Sequence, residues 1–122
     1  MKILVVDDEL YVAAAIKLAL GHEHLIESVA SGWIALEMLK DNKQHFDLLI
    51  SDHMMPECAG SELIKRLRLA CWRGEYLLLS GYMSPEVEAI YRGLGVEHIL
   101  TKPFDVAELR RVVAAIAKLV GR

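Results

Sequence analysis

Five short strand-like runs, three of them wholly apolar and each stopping at a polar or turn-forming residue, alternate with longer segments of helical periodicity, and no other feature limits the fold as much. Ile3 to Val6 runs into Asp7-Asp8-Glu9. His24 to Val29 is a second, weaker run. Leu48 to Ile50 reaches Asp52 through Ser51, and Met54-Met55-Pro56 follows. Tyr76 to Leu79 stops at Ser80-Gly81, and Val96 to Leu100 stops at Thr101-Lys102-Pro103. The three apolar runs, Ile3 to Val6, Leu48 to Ile50 and Tyr76 to Leu79, suit strands buried on both faces. A proline cannot continue a ladder, so Pro56 and Pro103 mark strand exits.

Helices fill the intervals. Leu10 to Leu20 carries the helix formers Ala13-Ala14-Ala15 and Leu18, and Gly21 suits the C′ position after it. Ser31 is placed to cap a helix that runs to about Lys40, with Asp41-Asn42 at its end. Ser61 to Ala70 puts Leu63, Ile64 and Leu67 on one side and Lys65, Arg66 and Arg68 on the other. Ser84-Pro85-Glu86 opens a helix that Gly93 and Gly95 close. Asp105 and Glu108 resemble a capping box before a last helix, Val106 to Val120, striped by Leu109, Val112, Val113, Ile116, Leu119 and Val120. Strand–helix alternation with short connections predicts a doubly wound (βα)5 fold of the flavodoxin-like, three-layer α/β class, with a five-stranded parallel sheet. At 122 residues the chain reads as one domain, 1–122.

Composition excludes several classes. Hydrophobic residues make up 54%, yet no run approaches the ~20 apolar residues of a membrane span, so no membrane insertion is expected. Two cysteines, Cys58 and Cys71, form no disulfide framework and have no metal-ligand spacing, which fits a reducing cytoplasm. A net charge of −3 without a basic cluster argues against direct nucleic-acid binding. The histidines His22, His24, His45, His53 and His98 show no ligand spacing and read as scattered, although His53 directly follows Asp52.

In a parallel sheet the C-terminal strand ends share one edge, where ligands bind. Asp7, Asp8, Asp52, Ser80 and Lys102 should therefore converge. Three adjacent carboxylates repel one another, and a hard divalent cation, Mg2+ or Mn2+, relieves the conflict. A strand-end carboxylate beside a cation and an ammonium is equipped to take a phosphoryl group, because such transfer asks mainly for an in-line nucleophile and positive charge on the equatorial oxygens. Asp52 is the candidate nucleophile, with Ser80 and Lys102 as donors to the added oxygens.

The set Asp7-Asp8, Asp52, Ser80 and Lys102-Pro103-Phe104, with Met54-Met55-Pro56 and Gly60, resembles the receiver domain of two-component response regulators. The resemblance spans the chain from Lys2 to the last helix. It implies that Asp52 is the phospho-acceptor and that Asp8 and Asp52 are metal ligands. It also implies that Asp7 holds metal-bound water and that the Met54 carbonyl is a further ligand. Ser80 would be the switch hydroxyl, Lys102 its ion-pair partner, and the Lys102-Pro103 bond cis. The donor would be a phosphohistidine on a sensor histidine kinase or histidine phosphotransfer protein, docked along Tyr11, Ala14, Ala15 and Leu18. Such a domain is no enzyme for an outside substrate; it catalyses only its own phosphorylation and dephosphorylation. It would switch conformation to control a downstream protein target, as a monomer or as a phosphorylation-dependent dimer through the fourth helix, fifth strand and fifth helix.

The sequence departs from that pattern at Ile99, three residues before Lys102, where many relatives carry Tyr or Phe. An isoleucine cannot make the ring movement that reports the switch, and neighbouring His98 is expected to face solvent or the adjoining helix. Ala59 stands where an Asp is common. The competing reading is an aspartate-nucleophile phosphatase of the haloacid-dehalogenase kind. That family needs a second Asp two residues after the nucleophile, where this chain has Met54. A flavin carrier on the same fold would need a phosphate-binding loop where Asp7-Asp8-Glu9 stands.

Overall fold

The computed structural model describes residues 1–41 and 43–121; Asn42, half of the expected stop after the second helix, and Arg122 lie outside the described residues. The chain runs β1 (Lys2–Val6), α1 (Leu10–Leu20), β2 (Leu25–Val29), α2 (Gly32–Lys40), β3 (Leu48–Asp52), α3 (Gly60–Leu69), β4 (Glu75–Ser80), α4 (Pro85–Gly93), β5 (His98–Thr101) and α5 (Val106–Val120). The strands form one parallel sheet in the order β2-β1-β3-β4-β5. The strand order reverses beside β1, so β1 and β3 flank the switch point of the sheet. Every residue of β3 is buried, which is why its sequence carries no polar alternation before Ser51.

Successive strand residues point to opposite faces and build two cores. On one face Leu4, Val6, Leu49, Tyr76 and Leu78 meet Ala35, Leu36 and Leu39 of α2, Leu63, Ile64 and Leu67 of α3, and Tyr91 of α4. On the other, Ile3, Val5, Leu48, Ile50, Leu77 and Leu79 meet Ala13 and Ile16 of α1 and Leu109, Val113 and Ile116 of α5. The α5 stripe is buried at those three positions, while Leu119 and Val120 remain exposed.

Helix starts follow local chemistry. Ser31, Ser84 and Asp105 accept the N–H groups of Trp33, Val87 and Glu108 and so satisfy orphan donors of the first turn. Gly21 departs from expectation. Its φ of −68° is right-handed, not the left-handed C′ conformation. A side chain is excluded there instead because a Cβ would lie 2.5 Å from the Lys17 carbonyl oxygen. Gly95, with φ +85°, holds the left-handed turn after α4.

The fifth strand starts later than its apolar run suggests. Val96 N–H donates to the Tyr91 carbonyl at 3.0 Å, and the Val96 and Glu97 carbonyls accept from the Arg92 guanidinium at 3.2 and 2.5 Å. These groups close α4, so the ladder begins only at His98. In the same way His24 N–H donates to Leu20 at the end of α1, and β2 begins at Leu25.

One carboxylate fastens the opposite edge of the sheet. Asp47 N–H donates to the Lys2 carbonyl, the Asp47 carbonyl accepts from Glu75, and its Oδ2 accepts the Lys2 N–H at 2.8 Å. Burial pushes the Asp47 carboxyl up, but the Lys2 amide and His45 outweigh it and hold the pKa below the usual carboxylate value. Asp47→Ala is expected to lower the unfolding free energy at pH 7 by roughly 1.5–3 kcal/mol, the range for a hydrogen bond to a charged group. Because the folded pKa is depressed, this contribution is complete above the unfolded value of 3.8 and disappears as pH falls through the folded pKa. Urea titrations at neutral and acid pH should show the variant and the wild type converging in acid.

Candidate functional site

The C-terminal edge of the sheet gathers the polar strand ends. Asp7 follows β1, Asp52 and Ser80 are the last residues of β3 and β4, and Lys102 follows β5. Asp7, Asp52 and Ser80 are buried, whereas Asp8 is open to solvent. Oxygens of Asp7, Asp8 and Asp52 all lie within 4.8 Å of one another. The Lys102 ammonium stands 3.1 Å from Asp7 Oδ2, 3.3 Å from Asp52 Oδ2 and 3.5 Å from Glu9 Oε1. The peptide bond between Lys102 and Pro103 is cis. It turns the chain directly after Lys102, whose own N–H donates to the Ser80 carbonyl at 2.7 Å.

Charge and burial pull against each other here. Burial pushes the Asp7 carboxyl above its ordinary pKa, although the Glu9 amide and Lys102 oppose the shift, and the Asp52 charge adds to it. Burial also disfavours the Lys102 ammonium, but the Asp7 hydrogen bond and the Asp52 and Asp7 charges outweigh it and raise its pKa. Among the described residues one cation thus sits with four carboxylates, three of them close enough to share a divalent ion. The donor set is all oxygen with open solvent on the Asp8 side, which fits a hard ion that keeps part of its water.

The remaining expected residues are placed as follows. Met54 is exposed, and its N–H points to Asp52 Oδ1 at 3.4 Å. Ser80 Oγ donates to the Tyr82 carbonyl at 2.7 Å, so the hydroxyl is engaged by the β4–α4 connection. Ile99 is half-buried and packs on the core face that α2, α3 and α4 cover. His98 pairs with Leu77 in register and is half-buried, with its Nε2 shut away from solvent and without a hydrogen-bond partner among the described residues. Cys58 is buried and burial raises its pKa, which removes thiolate character. Tyr11, Ala14, Ala15 and Leu18 all lie on the exposed face of α1.

Two neighbours of the site escaped the sequence reading. Glu9 completes the surroundings of Lys102, and the acidic run Asp7-Asp8-Glu9 already carried that signal. Tyr91 is fully buried in α4, with its hydroxyl 2.5 Å from His53 Nδ1. Nothing in the pattern of α4 distinguishes Tyr91 from an ordinary core position. Gly60 is explained by the same corner. A Cβ there would lie 2.6 Å from the Asp52 carbonyl oxygen and 2.9 Å from the Tyr91 hydroxyl.

A family model, the response regulator receiver domain, matches residues 3–114. The chain is 32% identical over 119 residues to the response regulator RppA of Synechocystis sp., covering 97% of this chain and 51% of that protein. It is 29% identical over 121 residues to the cell cycle response regulator CtrA of Brucella ovis, covering 97% of this chain and 50% of that protein. The chain therefore spans about half the length of these curated relatives. Among solved structures it resembles the chemotaxis protein CheY4 of Vibrio cholerae, with 30% identity, a TM-score of 0.83 and coverage of 94% of this chain and 97% of that one. The receiver domain of the Francisella response regulator 1452 gives 30% identity, a TM-score of 0.86 and 96% coverage of both chains.

The raised Asp7 pKa means that its ionised form costs stability at neutral pH. Asp7→Asn keeps the shape, removes that charge and leaves Lys102 paired with Asp52 and Glu9. The variant is expected to be more stable than the wild type at pH 7 without added metal, a common exchange of function for stability. Mg2+ should raise the urea midpoint of the wild type more than that of the variant.

Proposed function

The chain belongs to the response regulator receiver domain family, and from that premise we propose that it accepts a phosphoryl group on Asp52 and reports the change to a protein partner. The observation that carries this reading is the juxtaposition of Asp52 with two further carboxylates and the Lys102 ammonium at one sheet edge. Receiver domains are regulatory, and the haloacid-dehalogenase alternative finds no support in the relatives. The unit we assign to this function is 1–122.

In the proposed reaction an Asp52 carboxylate oxygen attacks the phosphorus of the donor. The bond from phosphorus to the donor's imidazole nitrogen breaks, and the electron pair leaves with the imidazole. Asp7, Asp8, Asp52 and the Met54 carbonyl are the residues we assign to Mg2+ or Mn2+. When bound, that ion neutralises charge on the phosphoryl oxygens and offsets the crowding of the carboxylates. Lys102 supplies the protein's own positive charge to the same oxygens. Phosphorylation replaces about one negative charge by roughly two and adds acceptor oxygens. Ser80 then exchanges its bond to the Tyr82 carbonyl for one to the phosphoryl group, which frees the β4–α4 connection.

A phosphohistidine on a sensor histidine kinase or a histidine phosphotransfer protein is the donor we propose. The exposed α1 face, with Tyr11, Ala14, Ala15 and Leu18, lies next to the acidic edge and is its proposed dock. Among the described residues no helix is long and apolar enough to cross a membrane, and we place the domain in the cytoplasm with that donor. Ile99 has no ring to turn. Its part in the switch is packing between β5 and the α4 side of the core, and the downstream protein target reads that face. A phosphorylation-dependent dimer through α4, β5 and α5 is a further form this output could take.

Incubation with Mg2+ and a small acyl phosphate should add one phosphoryl mass to the intact protein, in an adduct labile to hydroxylamine. Asp52→Asn should abolish the adduct. An adduct that survives in that variant, or none in the wild type, overturns the assignment of Asp52.

A further inference from the structure

Helix α4 is attached to the rest of the domain through one fully buried side chain, Tyr91. Its other core-side residues, such as Val87, are only partly buried. The Tyr91 ring meets the His53 ring edge-on, with centroids 5.3 Å apart and planes at 82°, and its hydroxyl is hydrogen-bonded to His53 Nδ1. Burial pushes the Tyr91 pKa up to about 12, with Ser61 opposing and the Asp52 charge adding, so the hydroxyl keeps its proton at neutral pH. His53 is the residue after Asp52. Its backbone is fixed on both sides: its N–H donates to the Leu79 carbonyl at 3.0 Å, and its carbonyl accepts from Gly60 N–H at 3.0 Å. The imidazole is thus the part of this corner that meets α4.

The other end of Tyr91 reaches the turn that precedes β5. Its carbonyl accepts from Val96 N–H at 3.0 Å, in the bend that leads into the strand carrying Ile99. One residue therefore touches the segment after Asp52, anchors α4 and closes the turn into β5. Ile99 packs against the same core face but offers neither a ring nor a polar atom.

We propose that the Tyr91–His53 hydrogen bond carries the state of Asp52 to α4, so that Tyr91 serves as the aromatic readout which position 99 lacks. The proposal rests on the receiver reading above. A phosphoryl group on Asp52 enlarges the side chain next to His53 and draws Ser80 away from Tyr82, loosening the start of the β4–α4 connection. With that end released, α4 follows the side chain that still holds it. Tyr91 is a positioning residue and touches neither donor nor metal. Its hydroxyl is required for the coupling, whereas its ring is required for packing.

Tyr91→Phe separates the two, because it deletes the hydroxyl and keeps the ring. The experiment compares amide 1H–15N spectra before and after phosphorylation with acetyl phosphate and Mg2+, with the adduct confirmed by intact mass. In the wild type, shifts are expected at Ser80–Tyr82 and across Glu86–Arg92. In Y91F the adduct and the Ser80–Tyr82 shifts should persist, while the α4 shifts are lost. His53→Phe removes the other half of the bond and should silence α4 equally, with no further loss in the double variant. Should Y91F not fold, H53F reads the same bond. If α4 shifts equally in the wild type and Y91F, or stays silent in the wild type, the coupling is wrong although phosphorylation stands. If the wild type gains no adduct, the receiver reading fails and the coupling fails with it.

Discussion

Carboxylates held together at one sheet edge around the Lys102 ammonium set the terms for the whole molecule. Asp7 and Asp52 are buried, and a buried charge is stable only when paired and hydrogen-bonded. Lys102 answers both, and its position is fixed from the opposite end of the chain by β5 and the turn at Pro103. The sheet is what makes this possible. Parallel pairing aligns every strand end on one side, so residues about 45, 50 and 95 positions apart meet without a long loop between them. The two apolar cores hold that edge against the repulsion it contains.

Much of this was legible in the sequence, because the residues that matter sit at breaks in a strong pattern. Asp7, Asp52 and Ser80 each follow an apolar run and Lys102 follows a mixed one, and a buried parallel strand tolerates a polar residue best at its exit. The alternation of runs and helical segments gave the sheet and its layers for the same reason. Boundaries were less legible. Val96 and Glu97 look like strand residues, yet their backbone groups are taken by Tyr91 and Arg92 of the preceding helix. Gly21 looked like a left-handed cap, yet its backbone is right-handed and it is the Lys17 carbonyl that excludes a side chain.

Tyr91 could not have been found by the same means. An aromatic residue on the inner side of an amphipathic helix is what a core demands, and its hydroxyl acquires a role only from what lies opposite. Gly60 shows how tightly that opposition is specified. It reads as a motif glycine at the start of α3, but the reason for it is the closeness of the Asp52 carbonyl and the Tyr91 hydroxyl to the same point. A larger residue at 60 would displace the acceptor segment, the α4 anchor or both.

The Ser80 bond and the Tyr91 bond divide the hold on α4 between them. Ser80 holds the connection that leads into the helix, and Tyr91 holds the helix near its C-terminal end. Under the proposed function only the first would exchange partners, since phosphorylated Asp52 would offer Ser80 new acceptor oxygens. A helix freed at its start and tied to the segment after Asp52 near its end can pivot with that segment, whereas without the second tie nothing carries the change into it. A pivot moves a surface by a defined amount, which is what a partner must recognise if it is to distinguish two states. The isoleucine at position 99 fits this arrangement. An aliphatic side chain packed on the same core face as Tyr91 imposes no ring conformation of its own.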